Sequence, residues 1–361
     1  MTLRSLIFPM MFATCSLFAC SSDDPSSSDT TDAGDEQNPG SDAHTNQNQW
    51  SCEDSESTDL TGTWALLARY SIALHGQSGG MANLCPMEQV DTASLLAVVD
   101  IEKSGDGYTM SAVSCQLALP SVKAMAGKCE PDTGNYLTVN INIPAPMYQS
   151  FATLDPVHAN GTLSPSSALS FDPFRFTWGT RANTLPSWQP SQCGDNSDKG
   201  HTSECETTCV TGCDDLVDDD NDGFPGVTVH LCGTTEQDRL LSLPCNALEP
   251  NVPGITFQGS IPMALYSQLT LQGNARSSCE ASGTFSSDTQ YKVLGSDVWI
   301  STMSLAVSQV VLSLPLFEGQ AADSRWRLVR VDGTHGSPNW NLPQDAPGRC
   351  EKIRTNKNEL E

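Results

Sequence analysis

Six aspartates lie within one stretch of ten residues in this chain, and three of them alternate before a glycine. Alternate carboxylates in a tight loop can be directed at one hard cation such as calcium. A glycine at the sixth position permits the sharp turn that brings the next backbone carbonyl towards the same ion. The spacing therefore predicts a calcium site made of Asp218, Asp220, Asp222 and the carbonyl of Phe224.

The residues that follow the loop distinguish it from an EF-hand. Its twelfth position, where an EF-hand has a bidentate glutamate, is Val229, and a proline-broken, strand-like segment follows. The motif resembles the aspartate-rich calcium loops of thrombospondin type 3 repeats and of bacterial surface proteins. That resemblance implies a structural calcium ion. Only one unit is present, so Asp214, Asp215 and Asp219, with water, are candidates for the remaining ligands; a solvated acidic turn is the alternative.

The first twenty residues predict export. Arg4 precedes an apolar run that is shorter than the ~20 residues of a membrane-spanning helix, which is the layout of a secretory signal. The letters "LFAC" at 17–20 resemble the bacterial lipobox, whose cysteine becomes the lipid-modified first residue of the mature chain. The resemblance implies a membrane anchor on Cys20. Because Ser21 follows, it also implies the outer membrane or cell surface of a Gram-negative bacterium; an ordinary secreted protein is the alternative.

Residues 20–57 predict an acidic, disordered tether. Serine and aspartate dominate this segment, and it has too few apolar side chains to offset the entropy of ordering. The formal net charge of the whole chain is −25, which repels nucleic acid and attracts divalent cations. We therefore expect no nucleic-acid partner. The lipobox resemblance separately implies a contact with the membrane through the N-terminal lipid anchor.

The chain contains 14 cysteines, and 12 of them follow Cys20. An even number in an exported chain predicts a framework of disulfides. Cys115–Cys129 and Cys232–Cys245 are the local pairs that proximity in sequence favours. A four-thiolate zinc site is an alternative for the cluster between 193 and 213, although its spacing is not a common zinc pattern. The candidate disulfide cysteines are Cys52, Cys85, Cys115, Cys129, Cys193, Cys205, Cys209, Cys213, Cys232, Cys245, Cys279 and Cys350.

The pattern of the remaining chain predicts an all-β fold. In residues 135–143, Leu137, Val139 and Ile141 fall on one face and polar residues on the other, which is the period of a half-buried antiparallel strand. Many such runs without long amphipathic helices predict an antiparallel barrel or sandwich. The strand-like runs are 62–74, 94–102, 107–119, 135–143, 174–178, 226–232, 255–273, 296–300, 308–316 and 325–333.

The first of these strands opens with Gly62-x-Trp64, which resembles the first strand of lipocalin-type barrels. That resemblance implies a tryptophan that plugs the base of a barrel, with the ligand site at its mouth. The segment 181–225 is either a boundary between two β halves or a crosslinked insertion in one barrel. The predicted organisation is a signal peptide at 1–19, the tether at 20–57, a first β half at 58–180, a Cys/Asp-rich loop with the calcium site at 181–225, a second β half at 226–335 and a tail at 336–361.

Catalytic signals are weak in this chain. The letters "GQSGG" match a nucleophile elbow around Ser78, but that motif requires a strand-to-helix turn in an α/β sheet. The lipobox, tether and aspartate loop together resemble outer-membrane lipoproteins of Gram-negative bacteria. We predict a membrane-anchored, calcium-stabilised β protein with a non-enzymatic binding or envelope-structural role. The alternative is a secreted hydrolase that uses carboxylate or calcium-assisted chemistry.

Overall fold

A computed structural model describes residues 52, 59–126, 129–130, 137–139, 141–143, 145–181, 185, 215–231, 257–300 and 303–361. Within these residues the protein is mostly antiparallel β-structure. The strands are β1 (Gly62–His75), β2 (Ala82–Leu84), β3 (Glu88–Ser104), β4 (Gly107–Ala118), β5 (Val122–Ala126), β6 (Leu137–Val139), β7 (Ile141–Asn142), β8 (Val157–Leu163), β9 (Ala168–Phe171), β10 (Phe174–Trp178), β11 (Val227–Leu231), β12 (Phe257–Ala275), β13 (Glu280–Val293), β14 (Asp297–Ile300), β15 (Met303–Ser304), β16 (Leu316–Gly319) and β17 (Arg325–Arg330). The helices are α1 (Ala145–Phe151), α2 (Val307–Ser313) and α3 (Ala346–Thr355).

Eight strands close into a ring. The order around it is β1, β3, β4, β8, β9, β12, β13 and β17, and β17 pairs again with β1. Every ladder in the ring is antiparallel. The predicted all-β class is confirmed, and of the two predicted architectures the structure shows the barrel.

Strand β12 is the longest strand and positions the region of the aspartate loop. It pairs with β13 and β14 and, in succession along its length, also with β9, β10 and β11. Strands β10 and β11 therefore follow one another along β12, although 48 residues separate Trp178 from Val227. The aspartate loop at 215–226 leads directly into β11.

The barrel wall has a hydrophobic layer on each side, because side chains alternate along β1. Trp64, Leu66 and Tyr70 belong to the large interior cluster, whereas Ala65 and Leu67 belong to a second cluster on the outside. The outer cluster includes residues of α3, which covers this part of the wall. The interior contains large, fully buried aromatic side chains, which are Trp64, Trp178, Trp326, Phe151, Phe171, Phe174 and Phe285.

One predicted strand is wrong. The segment predicted as a strand at 308–316 contains helix α2, and a strand, β16, begins only at Leu316. Its β-branched valines favour a strand by propensity, but Val307 and Val310 are both buried at the i, i+3 spacing of one helix face. Packing against the interior cluster decides the conformation here.

Three disulfides join described residues, so the predicted presence of disulfides is confirmed. The local pair Cys115–Cys129 is wrong. Cys115 lies in the outer cluster and is bonded to Cys350 of α3. Cys129 is bonded to Cys85, and the third bond joins Cys52 to Cys279. Long-range pairs of this kind depend on the barrel closing, which local spacing does not reveal.

Several predicted features lie outside the described residues. They are the signal peptide, the lipidation residue Cys20, nearly all of the tether, Asp214, and the cysteines Cys193, Cys205, Cys209, Cys213, Cys232 and Cys245. Among the helices that the structure describes, none has the length and apolar character needed to cross a membrane.

Candidate metal site

Backbone hydrogen bonds hold the aspartate loop against the end of β10. The N–H of Val217 donates to the carbonyl of Gly179 at 3.2 Å, and the N–H of Arg181 donates to that of Asp215 at 2.8 Å. The loop closes on itself where the N–H of Gly226 donates to Val217 at 2.7 Å. A Cβ on Gly179, which has a φ of 74°, would lie 2.7 Å from the Cα of Gly226, so this contact requires glycine.

The loop brings three carboxylates together. One oxygen atom from each of Asp218, Asp220 and Asp222 lies within 4.8 Å of the other two. Asn221 and Gly223 both have positive φ values, of 58° and 94°, and these residues make the turn that the alternating spacing requires. The sequence-predicted convergence of the three aspartates is therefore a feature of the structure.

Backbone N–H groups fix the orientation of these carboxylates. The N–H groups of Asp222 and Gly223 donate to the two oxygens of Asp218, at 3.1 and 2.9 Å. The N–H of Phe224 donates to Asp222 Oδ1 at 2.8 Å. The N–H of Thr228, at the start of β11, donates to Asp220 Oδ2 at 2.7 Å. Each carboxylate is thus positioned by main-chain N–H groups.

Asp220 is the least satisfied member of the cluster. Its Oδ1 is buried and accepts no hydrogen bond from any described residue. Burial raises the pKa of the Asp220 carboxyl and the Thr228 N–H lowers it, while the charge of Asp222 and the hydrogen bond with, and charge of, Asp218 raise it further, to about 7 overall. The site therefore concentrates negative charge that a bound cation would offset.

The other predicted ligands have different positions. The carboxylate of Asp219 points away from the cluster. It accepts hydrogen bonds from both terminal nitrogens of Arg181, at 2.6 and 3.1 Å, and from the N–H of Gly179 at 2.6 Å. Asp219 therefore anchors the loop to the end of β10 and does not belong to the group of Asp218, Asp220 and Asp222. Asp215 is exposed, and the side chain of Phe224 is 40% exposed.

Sequence reasoning missed the ion pair between Arg181 and Asp219. The side chain of Asp219 is 2% exposed, so this carboxylate is the buried anchor in a run of otherwise more exposed aspartates. The sequence holds no signal for it, because nothing distinguishes Asp219 from its neighbours Asp218 and Asp220. Asp219 differs from the three clustered aspartates only in the folded structure, where the loop closes onto β10.

The tryptophan of the Gly-x-Trp motif lies in the buried interior cluster of the barrel. Trp64 is fully buried where β1 begins, and its indole N–H donates to the carbonyl of Leu60 at 2.8 Å. The guanidinium of Arg330, its partner in the β1–β17 ladder, lies 4.8 Å from the centre of its ring system. Trp64 and Arg330 therefore form a buried stacked pair where β1 begins.

The Ser78 motif does not have the context of a nucleophile elbow. The loop around Ser78 joins strand β1 to strand β2, whereas the elbow requires a strand followed by a helix. The neighbouring Gln77 holds this loop against α2, because its amide donates to the carbonyls of Val311 and Leu314, both at 2.9 Å.

A comparison of the chain with models of protein families, with curated proteins and with solved structures finds no match in any of the three. The fold and the site themselves define the class. The protein is a disulfide-bonded, antiparallel β-barrel with a ring of eight strands. Its loop before β11 holds an Asp218-Asp220-Asp222 group that could bind a metal ion.

Proposed function

We propose that this chain is an exported, lipid-anchored β-barrel protein that calcium stabilises, with a non-enzymatic binding or envelope-structural role. The observation that carries the calcium part is the buried Oδ1 of Asp220, which has no hydrogen-bond partner among the described residues and lies beside two further carboxylates. Leaving a buried acceptor without a partner is unfavourable, and like charges add to that cost. A cation bound between the three aspartates removes both problems.

The donor set favours calcium over other metals. Asp218, Asp220 and Asp222 provide oxygen atoms only, and hard cations such as calcium prefer oxygen, whereas zinc and copper favour nitrogen or sulfur. Magnesium requires a near-ideal octahedral shell and usually keeps several waters, whereas calcium accepts irregular sets of oxygen ligands. Sites of this type outside the cell bind calcium at about 10⁻⁴–10⁻³ M, which suits an exported protein.

Calcium titration of the full chain, followed by its melting temperature, tests this proposal. A cation that binds only the folded protein stabilises it by mass action, by about 1.4 kcal/mol when its concentration is ten times the Kd. The melting temperature is expected to rise by a few degrees at about 10 mM calcium. Magnesium at the same concentration is expected to give a smaller rise.

Two variants make the test specific. Asp222→Asn removes one charged ligand from an exposed position and should abolish most of the calcium-dependent rise. Asp323→Asn removes an equal charge from an exposed position outside the loop and serves as the matched control. A rise of the same size in the wild type and in Asp222→Asn would contradict the calcium site.

The lipid anchor is supported by the lipobox-like residues 17–20 and requires its own test. Replacement of Cys20 by alanine in the expressed precursor should release the protein from the membrane fraction. Cys15→Ala, which changes the other cysteine of the signal segment, should leave it membrane-bound. Retention of the Cys20→Ala protein in the membrane fraction would contradict lipidation at this residue.

The non-enzymatic role is supported by the interior of the barrel. Its wall encloses packed aromatic side chains, such as the stacked Phe176 and Trp178, whose ring centres lie 5.8 Å apart. Such an interior gives a rigid scaffold on which loops can present binding groups. We therefore place the binding or structural activity on the loops and wall openings of the barrel.

A further inference from the structure

The barrel wall opens between β4 and β10. Strand β4 pairs with β8 only over its first part, from Tyr108 to Ala112, although β4 itself continues to Ala118. Leu154 and Asp155, which precede β8, lie where that pairing ends. A recess of about 80 Å³ forms there, lined by residues of both β4 and β10 as well as by Leu154 and Asp155.

Two polar side chains in the wall of this recess are buried without a partner. Ser114 of β4 is 4% exposed and Trp178 of β10 is 2% exposed. Neither the hydroxyl of Ser114 nor the indole N–H of Trp178 has a hydrogen-bond partner among the residues that the structure describes. Leaving a buried polar group without a hydrogen-bond partner is unfavourable. Two such groups facing one recess therefore indicate a ligand.

The chemistry of the lining indicates an acceptor. An indole N–H can only donate a hydrogen bond, and so can a guanidinium. Arg175 and Arg181 also line the recess. Arg175 lies 4.9 Å from the ring of Tyr266 and donates to Gln268 Oε1 at 3.3 Å, which fixes the direction of its side chain. Arg181 is paired with Asp219 and Arg175 with Gln268 of β12, so both guanidiniums are already engaged and contribute positive charge beside the recess.

We propose that this recess binds a small monocarboxylate of the size of acetate or propionate. The carboxylate oxygens would accept from the Trp178 N–H and the Ser114 hydroxyl, with the positive charge of Arg175 nearby, and hydrogen bonds to an ionised acceptor are the strong ones. The alkyl group would face the apolar part of the lining, which consists of Ala112, Leu154, Val157 and Phe176. The volume of the recess sets the upper limit on chain length, and the exposed carboxylate of Asp155 disfavours a second negative charge.

The indole N–H resonance of Trp178 tests the proposal in the full chain. It is assigned in a ¹H–¹⁵N spectrum as the signal that Trp178→Phe removes from those of the seven tryptophans. Titration with acetate or propionate is expected to shift this resonance in a saturable way. Propionamide has the same shape without the charge, and it should bind about tenfold more weakly or worse.

Four variants separate this site from general effects of charge. Arg175→Gln should raise the Kd for propionate about tenfold, and Ser114→Ala should raise it severalfold. Arg276→Gln removes an equal charge from an exposed position outside the recess and should leave the Kd unchanged. Asp155→Asn should lower the Kd, because it removes a repelling charge at the recess. The melting temperature of each variant shows whether it is folded.

Three results would overturn the proposal. They are an indole shift that does not saturate, an equal shift produced by chloride at the same ionic strength, and an unchanged Kd in Arg175→Gln. The titration is repeated in Asp220→Asn, where carboxylate binding is expected to persist. A failure of the calcium site would leave this binding in place, so the two proposals can fail independently.

Discussion

The buried guanidinium of Arg330 and the half-buried carboxylate of Asp220 differ in how many partners the chain provides for them. The guanidinium of Arg330 is 1% exposed and lies where β1 and β17 meet. It donates to the carbonyls of Ser278 at 2.8 Å and Thr61 at 2.6 Å, to the hydroxyl of Thr334 at 3.0 Å and to the carbonyl of Asp59. Asp332 provides a carboxylate 3.8 Å away, and the ring of Trp64 covers one face.

The carboxylate of Asp220 has none of this support. One of its oxygens accepts from the Thr228 N–H, the other has no partner among the described residues, and the nearby charges of Asp218 and Asp222 have the same sign as its own. The described residues provide partners for the guanidinium of Arg330, whereas they leave one oxygen of Asp220 without a hydrogen-bond donor. A buried charge that the chain itself neutralises stabilises the fold, whereas one that it leaves incomplete indicates the position of a ligand.

Removing the guanidinium should have the largest effect on stability. Arg330→Met keeps the length of the side chain but leaves the carbonyls of Thr61 and Ser278 without their donor and the carboxylate of Asp332 without its positive partner. Loss of one partner of a buried charged network costs about 3–5 kcal/mol. The free energy of unfolding in urea measures this effect.

The matched control for that variant is Arg276→Met, because Arg276 is exposed. Its cost is expected to stay below about 0.5 kcal/mol. If Arg330→Met also cost less than about 1 kcal/mol, the guanidinium network would not be a determinant of the fold, and the contrast with the aspartate loop would disappear.

Removing the charge of Asp220 should have an effect that changes sign with calcium. The amide of Asp220→Asn still accepts from the Thr228 N–H, and it removes one of the three like charges. We therefore expect the variant to be more stable than the wild type, by about 1 kcal/mol, when a chelator removes divalent cations. With calcium at ten times the Kd, the wild type gains about 1.4 kcal/mol and should overtake the variant.

Melting temperatures in chelator and in calcium, compared for the two proteins, measure this reversal. Asp323→Asn is again the control, and its curves should follow those of the wild type under both conditions. If Asp220→Asn were less stable than the wild type in chelator as well, Asp220 would act as a structural hydrogen-bond acceptor and not as an incomplete metal ligand.

The elements that the sequence predicts well are those whose pattern is local. The strand-like run at 62–74 and the spacing of Asp218, Asp220 and Asp222 lead to the observed strand β1 and the observed cluster. Strand β13 was missed because its sequence, residues 280–293, is mostly polar; its pairing with β12 and β17 supplies the stability instead. The role of Arg330 was missed for a similar reason. Its carbonyl partner Thr61 is 269 residues away, and only closure of the barrel brings them together.

The smallest expected effect concerns the acid stability of the Arg330 network. Burial alone would raise the pKa of Asp332. Hydrogen bonds from the hydroxyl and N–H of Thr334 and from the N–H of Thr63, together with the charge of Arg330, outweigh burial and lower the pKa below the usual 3.8. The folded protein therefore binds this proton less readily than the unfolded chain. The contribution of Asp332 to stability is full above the unfolded pKa and is lost as the pH falls through the lowered folded value.

Asp332→Asn should reduce the slope of unfolding free energy against pH below about pH 4, by less than about 1 kcal/mol in total because the carboxylate is partly exposed. Asp323→Asn should keep the wild-type slope, and an unchanged slope in Asp332→Asn would show that the network is held together by its hydrogen bonds without a contribution from the charge of Asp332.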